Sequence, residues 1–116
     1  MARERLPDRR RAITRRVLHN GQTIHITVGY DDRAEVREVF ANGGKEGSEM
    51  HALISDACTV ISIALQHGVR VSEMTKSLGT RPEWGPSGEV EAPASVIGAI
   101  LHGIVGEVRD SEESAK

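Results

Sequence analysis

A glycine-rich segment with one lysine, GGKEGS at residues 43–48, leads directly into an amphipathic run. Free backbone N–H groups at a helix start, a serine hydroxyl and a lysine together suit a phosphate group. The segment is not a Walker loop, because Lys45 precedes the second glycine and Glu46 adds a negative charge. Two interpretations therefore stay open, an ordinary turn between a strand and a helix, or an anion site.

We predict that such an anion site uses backbone N–H groups of the loop together with arginine from a neighbouring strand or another subunit. Arginine presents a planar set of donors that matches phosphate oxygens. The candidate ligand-binding residues are Gly43, Gly44, Lys45, Gly47, Ser48, Arg15 and Arg16.

The sequence gives weaker indications of a catalytic or metal-binding site than of an anion site. Cys58 is the only cysteine and lies in an apolar run, which is typical of a buried structural residue. Ser48 and His51 are three residues apart at a helix start, where a capping serine beside a histidine explains the pair. The five histidines form no metal-ligand spacing: His19, His25, His51, His67 and His102. We predict no catalytic residues, no metal, no cofactor and no enzyme activity.

The net charge of -2 is unevenly distributed. Residues 1–16 contain seven arginines and two acids, whereas the remaining hundred residues contain 8 basic and 15 acidic side chains. Basic arms of this kind meet phosphates or acidic protein surfaces. Nucleic acid is a possible partner but is not favoured, since aromatic residues do not interleave with the arginines.

The elements that must position these residues follow from periodicity. Asn20-Gly21 predicts a tight hairpin turn between strands at 13–18 and 23–30, and a third strand follows at 36–41. Apolar residues at three- and four-residue spacing predict a long helix from Ser48 to Gln66. Shorter helices are expected at 72–78 and from Ser95 onward, with a loop at 80–92 between them.

The predicted fold class is α+β: a three-stranded antiparallel meander, a long helix packed on the sheet, and two shorter helices. We expect a basic arm at 1–12, one domain at 13–106 and an acidic disordered tail at 107–116. No apolar stretch approaches the ~20 residues that cross a bilayer, and no apolar segment follows the basic start. A cytoplasmic protein is expected, and its apolar surfaces predict a homo-oligomer.

Three quoted segments resemble one known family. GQTIHITVGYDD, VREVFANGGKEGSE and ISDACTVISIALQHGVRVSEMTKSLG occur in the order of the small TSCPD domain, over residues 13–79. The start RLPDRR at 5–10 is similar to its free-standing bacterial and phage members. The resemblance implies a small accessory domain of the kind found near the C-terminus of cobalamin-dependent ribonucleotide reductases.

The chain departs from the family pattern at its namesake motif. The Thr-Ser-Cys-Pro-Asp stretch aligns with residues 91–95, which read EAPAS and match at no position. Thiol or metal chemistry tied to that cysteine therefore does not carry over. Reductase chemistry needs a radical-forming cysteine and a reducing pair, which one cysteine cannot supply.

Two functions remain. The first is a non-catalytic binding module for a nucleotide or other phosphorylated small molecule, either accessory to nucleotide metabolism or a phage anti-defence sponge that sequesters a nucleotide signal. The second is a small oligomeric regulator or inhibitor that uses its arginine-rich arm on an acidic protein or nucleic acid.

Overall fold

The computed structural model describes residues 11–114, and side chains through residue 105. Five strands and three helices follow one another along this part of the chain: β1 (Ala12–His19), β2 (Gln22–Tyr30), β3 (Val36–Asn42), α1 (Glu49–Gln66), α2 (Val71–Thr75), β4 (Thr80–Gly85), β5 (Gly88–Pro93) and α3 (Val96–Ser114). The α+β class and the meander followed by a long helix are confirmed.

The first three strands form an antiparallel sheet in the order β1-β2-β3. Asn20 and Gly21 both have positive φ, 51° and 75°, as a tight hairpin turn requires. Arg15 pairs with Ile26, which pairs with Ala41 on the other side. Since residues directly opposite share a face, the alternation of β2 gives the sheet one apolar face.

The helices α1 and α3 cover this apolar face. Ile54 and Ile61 of α1 and Ile100 and Ile104 of α3 are at most 4% exposed. The buried apolar residues form one cluster: Ile24, Ile26, Val28, Tyr30, Val39, Ile54, Cys58, Ile61, Leu65, Val96, Ile100, Leu101 and Ile104. Within residues 11–114, no helix is long and apolar enough to span a membrane.

The outer edge of β3 is satisfied by side chains of α1. The Ser62 hydroxyl accepts from the Val39 N–H at 3.0 Å and donates to the Val39 carbonyl at 3.2 Å. One turn later, Gln66 Nε2 donates to the Arg37 carbonyl at 3.1 Å. These bonds replace the partners that a fourth strand would supply to the edge.

A buried carboxylate ties the β2–β3 turn to the end of α1. Asp31 accepts backbone N–H groups of Arg33 and Glu35 at 2.8 and 3.0 Å. Its other oxygen accepts from Arg37 Nε at 3.0 Å, and Arg37 Nη1 donates to the Leu65 carbonyl at 2.9 Å. The arginine therefore places positive charge at the C-terminal end of α1, where the helix dipole favours it.

The network lowers the pKa of the Asp31 carboxyl. Burial alone would raise the pKa, because it disfavours the charged form. The hydrogen bonds from Glu35, Arg37 and Arg33, together with the charge of Arg37, outweigh burial and hold the pKa below the ordinary 3.8.

Gly103 lets α3 approach the sheet closely. A Cβ at this position would lie 2.6 Å from Val17 Cγ2 and 2.9 Å from Ile26 Cδ1. Helix propensity alone makes glycine unfavourable here. Close packing of α3 on β1 and β2 explains why a helix interior contains it.

The structure differs from the sequence predictions in the last third of the chain. Residues 80–92, expected as a loop, form the antiparallel hairpin β4–β5. The hairpin has no buried apolar face that periodicity could have shown, and Trp84 is 83% exposed. Its prolines and glycines resemble loop punctuation.

The helix α3 also continues beyond its expected end. Ser95 caps it as predicted, since its hydroxyl accepts from the Gly98 N–H at 3.1 Å. Residues 107–114, expected as a disordered tail, continue the helix to Ser114. No proline or glycine interrupts this stretch after Gly106, which is consistent with helix. The expected arm at 1–12 lies outside the described residues, apart from Arg11 and Ala12.

We expect Ile61→Asp to unfold the domain, because an unpaired charge would enter the core. The loss should exceed about 4 kcal/mol, a large part of the stability of a small domain. Val60→Asp is the matched control, since Val60 is adjacent and 66% exposed. Urea unfolding followed by circular dichroism measures both variants, and a cooperative Ile61→Asp transition near that of Val60→Asp would contradict the packing.

We expect Asp31→Asn to lower the free energy of unfolding at pH 7 by about 1–3 kcal/mol, the typical loss for a buried charged hydrogen bond. Because the folded pKa is depressed, the contribution is present above the unfolded pKa and disappears as pH falls through the folded pKa. Urea titrations at pH 7 and pH 3 should show the wild-type advantage shrinking. An equal difference at both pH values would exclude the carboxylate as its source.

Candidate functional site

The predicted loop at 43–48 connects β3 to α1. Ser48 is the helix N-cap, and its hydroxyl accepts from the His51 N–H at 3.1 Å. Gly44 and Gly47 have φ of 73° and 83°, so both need the freedom of glycine. His51 Nδ1 lies 3.3 Å from the Gly43 carbonyl. The two positive-φ glycines and the capping serine are therefore accounted for by a strand-to-helix connection.

Arg15 and Arg16 lie on β1, two strands away from the strand that leads into this loop. Arg15 is on the helix-covered face with Ile26, and Arg16 is on the opposite face with His25. Both line a cleft of about 380 Å³ where the β1–β2 turn meets the β4–β5 hairpin and α3. None of the cleft's lining residues comes from 43–48.

The residues that line this cleft, which we call the basic cleft, include positive charge from the two strands β1 and β4. Its polar and charged lining residues are Arg15, Arg16, His19, Asn20, Arg81, Glu83 and His102. Three arginines thus line the cleft with one carboxylate, and two imidazoles add further nitrogen donors or acceptors. Arginines in a concave site raise the local concentration of anions. The cleft is therefore suited to bind a phosphate or carboxylate group.

Register and hydrogen bonding hold the cleft in shape. The Arg81 guanidinium donates to the side-chain oxygen of Asn20, which joins β4 to the β1–β2 turn. Arg81 pairs with Ala92 across the hairpin, and Glu83 lies on the same hairpin face. His102 and Gly103 of α3 form another wall. The close contact of Gly103 with Val17 sets how near this wall lies to β1.

The structure thus brings together the two predicted arginines but not the predicted loop. His19, Asn20, Arg81 and His102 were missed as site residues. The Asn20-Gly21 turn was recognised, but as a turn. No sequence signal joins residue 81 to residue 20, because their approach depends on the unexpected hairpin.

Cys58 belongs to a second, smaller groove between β3 and α1, lined also by Ala41, Ser55 and Thr59. The thiol is 4% exposed. Burial raises its pKa from 9.0 to about 11. A protonated, enclosed thiol is a poor nucleophile, in agreement with a structural role.

Comparison with known families matches a model described as the TSCPD domain to residues 2–104. This match confirms the resemblance and extends it over the hairpin β4–β5 and about the first half of α3. No solved structure matches the chain significantly.

Three vitamin B12-dependent ribonucleotide reductases are similar to the chain. That of Bradyrhizobium diazoefficiens is 29% identical over 94 residues, which cover 81% of this chain and 7% of the reductase. The Agrobacterium fabrum enzyme is 28% identical over 97 residues, which cover 84% of this chain and 8% of the reductase. The Rhodopirellula baltica enzyme is 36% identical over 67 residues, covering 58% and 6%. The chain therefore spans less than a tenth of each relative.

We expect Cys58 to resist thiol reagents in the folded protein. At pH 8 a pKa of about 11 leaves about one thiolate per thousand molecules, and burial blocks access. In denaturant the burial is lost, the pKa returns toward its ordinary value of 9.0, and labelling should become complete within minutes. Absorbance after addition of a disulfide reagent measures both rates. Rapid stoichiometric labelling without denaturant would contradict the enclosed position.

Proposed function

Because this chain belongs to the TSCPD domain family, we propose that it is a non-catalytic binding module for a phosphorylated small molecule. Its reductase relatives act on ribonucleotides by name, which makes nucleotides the first ligands to test. The chain corresponds to under a tenth of those enzymes, and its one thiol is buried and protonated. Binding without turnover is the proposed activity.

The basic cleft is the observation that carries this proposal. Arg15, Arg16 and Arg81 line it against the single carboxylate of Glu83. Arginine binds phosphate through two parallel hydrogen bonds, which are stronger than bonds between neutral groups. The volume of about 380 Å³ falls in the range of small-molecule sites.

The residues that line the cleft also favour the phosphates of a nucleotide over its base. Among the described residues that line the basic cleft there is no Phe, Tyr or Trp, and the only aromatic rings are the imidazoles of His19 and His102. The lining therefore offers little aromatic surface for stacking of a base, compared with three arginines that suit phosphates. We accordingly place the phosphates in the cleft and the base outside it. Affinity should then depend on the number of phosphates more than on the identity of the base.

We expect calorimetry to give affinities that rise from nucleoside mono- to di- to triphosphate and weaken with added salt, since exposed charges are screened. Arg81→Glu should weaken the best ligand at least tenfold, because it reverses one charge and removes the bond to Asn20. Lys76→Glu is the matched control: it makes the same charge change at an exposed position after α2, outside the cleft. Melting temperatures of both variants check folding.

A second comparison separates the cleft from the loop. Lys45→Glu combined with Ser48→Ala should leave affinity within about twofold of wild type if the phosphates bind in the cleft. A loss of affinity in this double variant, with wild-type affinity in Arg81→Glu, would place the site at the start of α1 instead. Absence of binding by every nucleotide, and by inorganic triphosphate, would refute the binding-module proposal and favour the regulator that acts on an acidic protein or nucleic acid.

A further inference from the structure

The outward side of α1 carries apolar residues that nothing in the described chain covers. Leu53, Val60 and Ile63 are 44%, 66% and 38% exposed. Their spacing of seven and three residues places them in one stripe, on the side away from Ile54 and Ile61. We call this set the α1 stripe. The apolar spacing that predicts α1 does not distinguish these exposed residues from the buried ones.

Acidic side chains stand at the start of the same helix, and an imidazole and an arginine follow its end. Glu46 precedes the helix and Glu49 begins it, and both are exposed. His67 and Arg70 follow its last turn. Glu49 and His67 lie 18 residues apart, five turns of helix, so they fall on one side together with Leu53 and Val60.

We propose that the α1 stripe is the contact between two copies of this chain, which pair α1 against α1 in antiparallel orientation. A two-fold axis at the level of residue 58 sets Leu53 of one copy opposite Ile63 of the second copy. The same axis sets the Glu49 carboxylate opposite the His67 imidazole, and it brings the acidic start of each α1 toward the end of the other α1, which Arg70 follows. Charge complementarity therefore selects antiparallel over parallel pairing, in which Glu49 would face Glu49.

Asp56 limits the strength of this contact. It lies in the stripe between Leu53 and Val60, and the two-fold axis brings both copies of its carboxylate near the centre of the pair. One helix pair also buries less than the ~1,200 Å² of a standard stable interface. We therefore expect a reversible dimer with a dissociation constant of about 10–100 µM, not an obligate one.

The proposal is independent of ligand binding, since the basic cleft and the α1 stripe share no residue. Sedimentation velocity of the full chain from about 5 to 500 µM should show a concentration-dependent shift from the 12.6 kDa monomer toward twice that mass. Val60→Asp should remain folded and stay monomeric throughout. Asp56→Leu should lower the dissociation constant at least tenfold.

A charge exchange tests the orientation. Glu49→Lys or His67→Glu alone should weaken the dimer severalfold, because the first removes the carboxylate that the imidazole contacts and the second sets two carboxylates against each other. The two together should restore it, because opposite charges then face each other across the axis. A monomeric wild type at 500 µM would overturn the proposal. So would a dimer that Val60→Asp leaves intact, which would place the contact elsewhere. Weakening by the single charge changes without rescue by the double variant would overturn the antiparallel pairing.

Discussion

The free edge of β3 is the constraint on which the rest of the structure depends. A three-stranded sheet leaves backbone N–H and C=O groups unpaired on its outer strands, and burying them without partners costs ~1–3 kcal/mol each. Here the Ser62 hydroxyl bonds to both the N–H and the carbonyl of Val39, and the Gln66 side chain donates to the Arg37 carbonyl. Polar residues in the middle of a helix that covers a core are thus required, because they complete the sheet.

These bonds also fix the rotation of α1 about its axis. Hydrophobic burial alone tolerates some rotation, since α1 is apolar around much of its circumference. The Ser62 hydroxyl bonds to the edge of β3, and the Arg37 guanidinium bonds to the Leu65 carbonyl near the end of α1. The two bonds hold the helix at different points along its length. Once they are made, Ile61 must face inward and Val60 outward. The apolar stripe on the surface follows from polar bonds in the interior.

Local sequence signals predicted the parts of the fold that depend on neighbouring residues: turns, strand alternation and helix caps. Asn20-Gly21 predicted the first hairpin, alternation predicted β2, and Ser48 predicted the start of α1, all within a residue or two of the observed bounds. The prediction of a loop at 80–92 failed because the hairpin β4–β5 contacts α3 and, through Arg81 and Asn20, the β1–β2 turn, and has no apolar period of its own. The rotation of α1 could not be predicted from the apolar pattern, because it depends on bonds between Ser62 and the edge of β3.

The candidate site shows the same limit. The sequence identified Arg15 and Arg16 correctly as cations, but joined them to the glycine loop because both features suit phosphate. In the structure the Ser48 hydroxyl already accepts from the His51 N–H, so a phosphate that bound this N–H would replace the cap of α1. The cleft has no such competition from a helix cap, and its arginines come from strands whose register is set by the hairpin turns. We therefore propose the basic cleft as the anion site, because its side chains are held on rigid strands, whereas the backbone groups of the loop are needed by the helix itself.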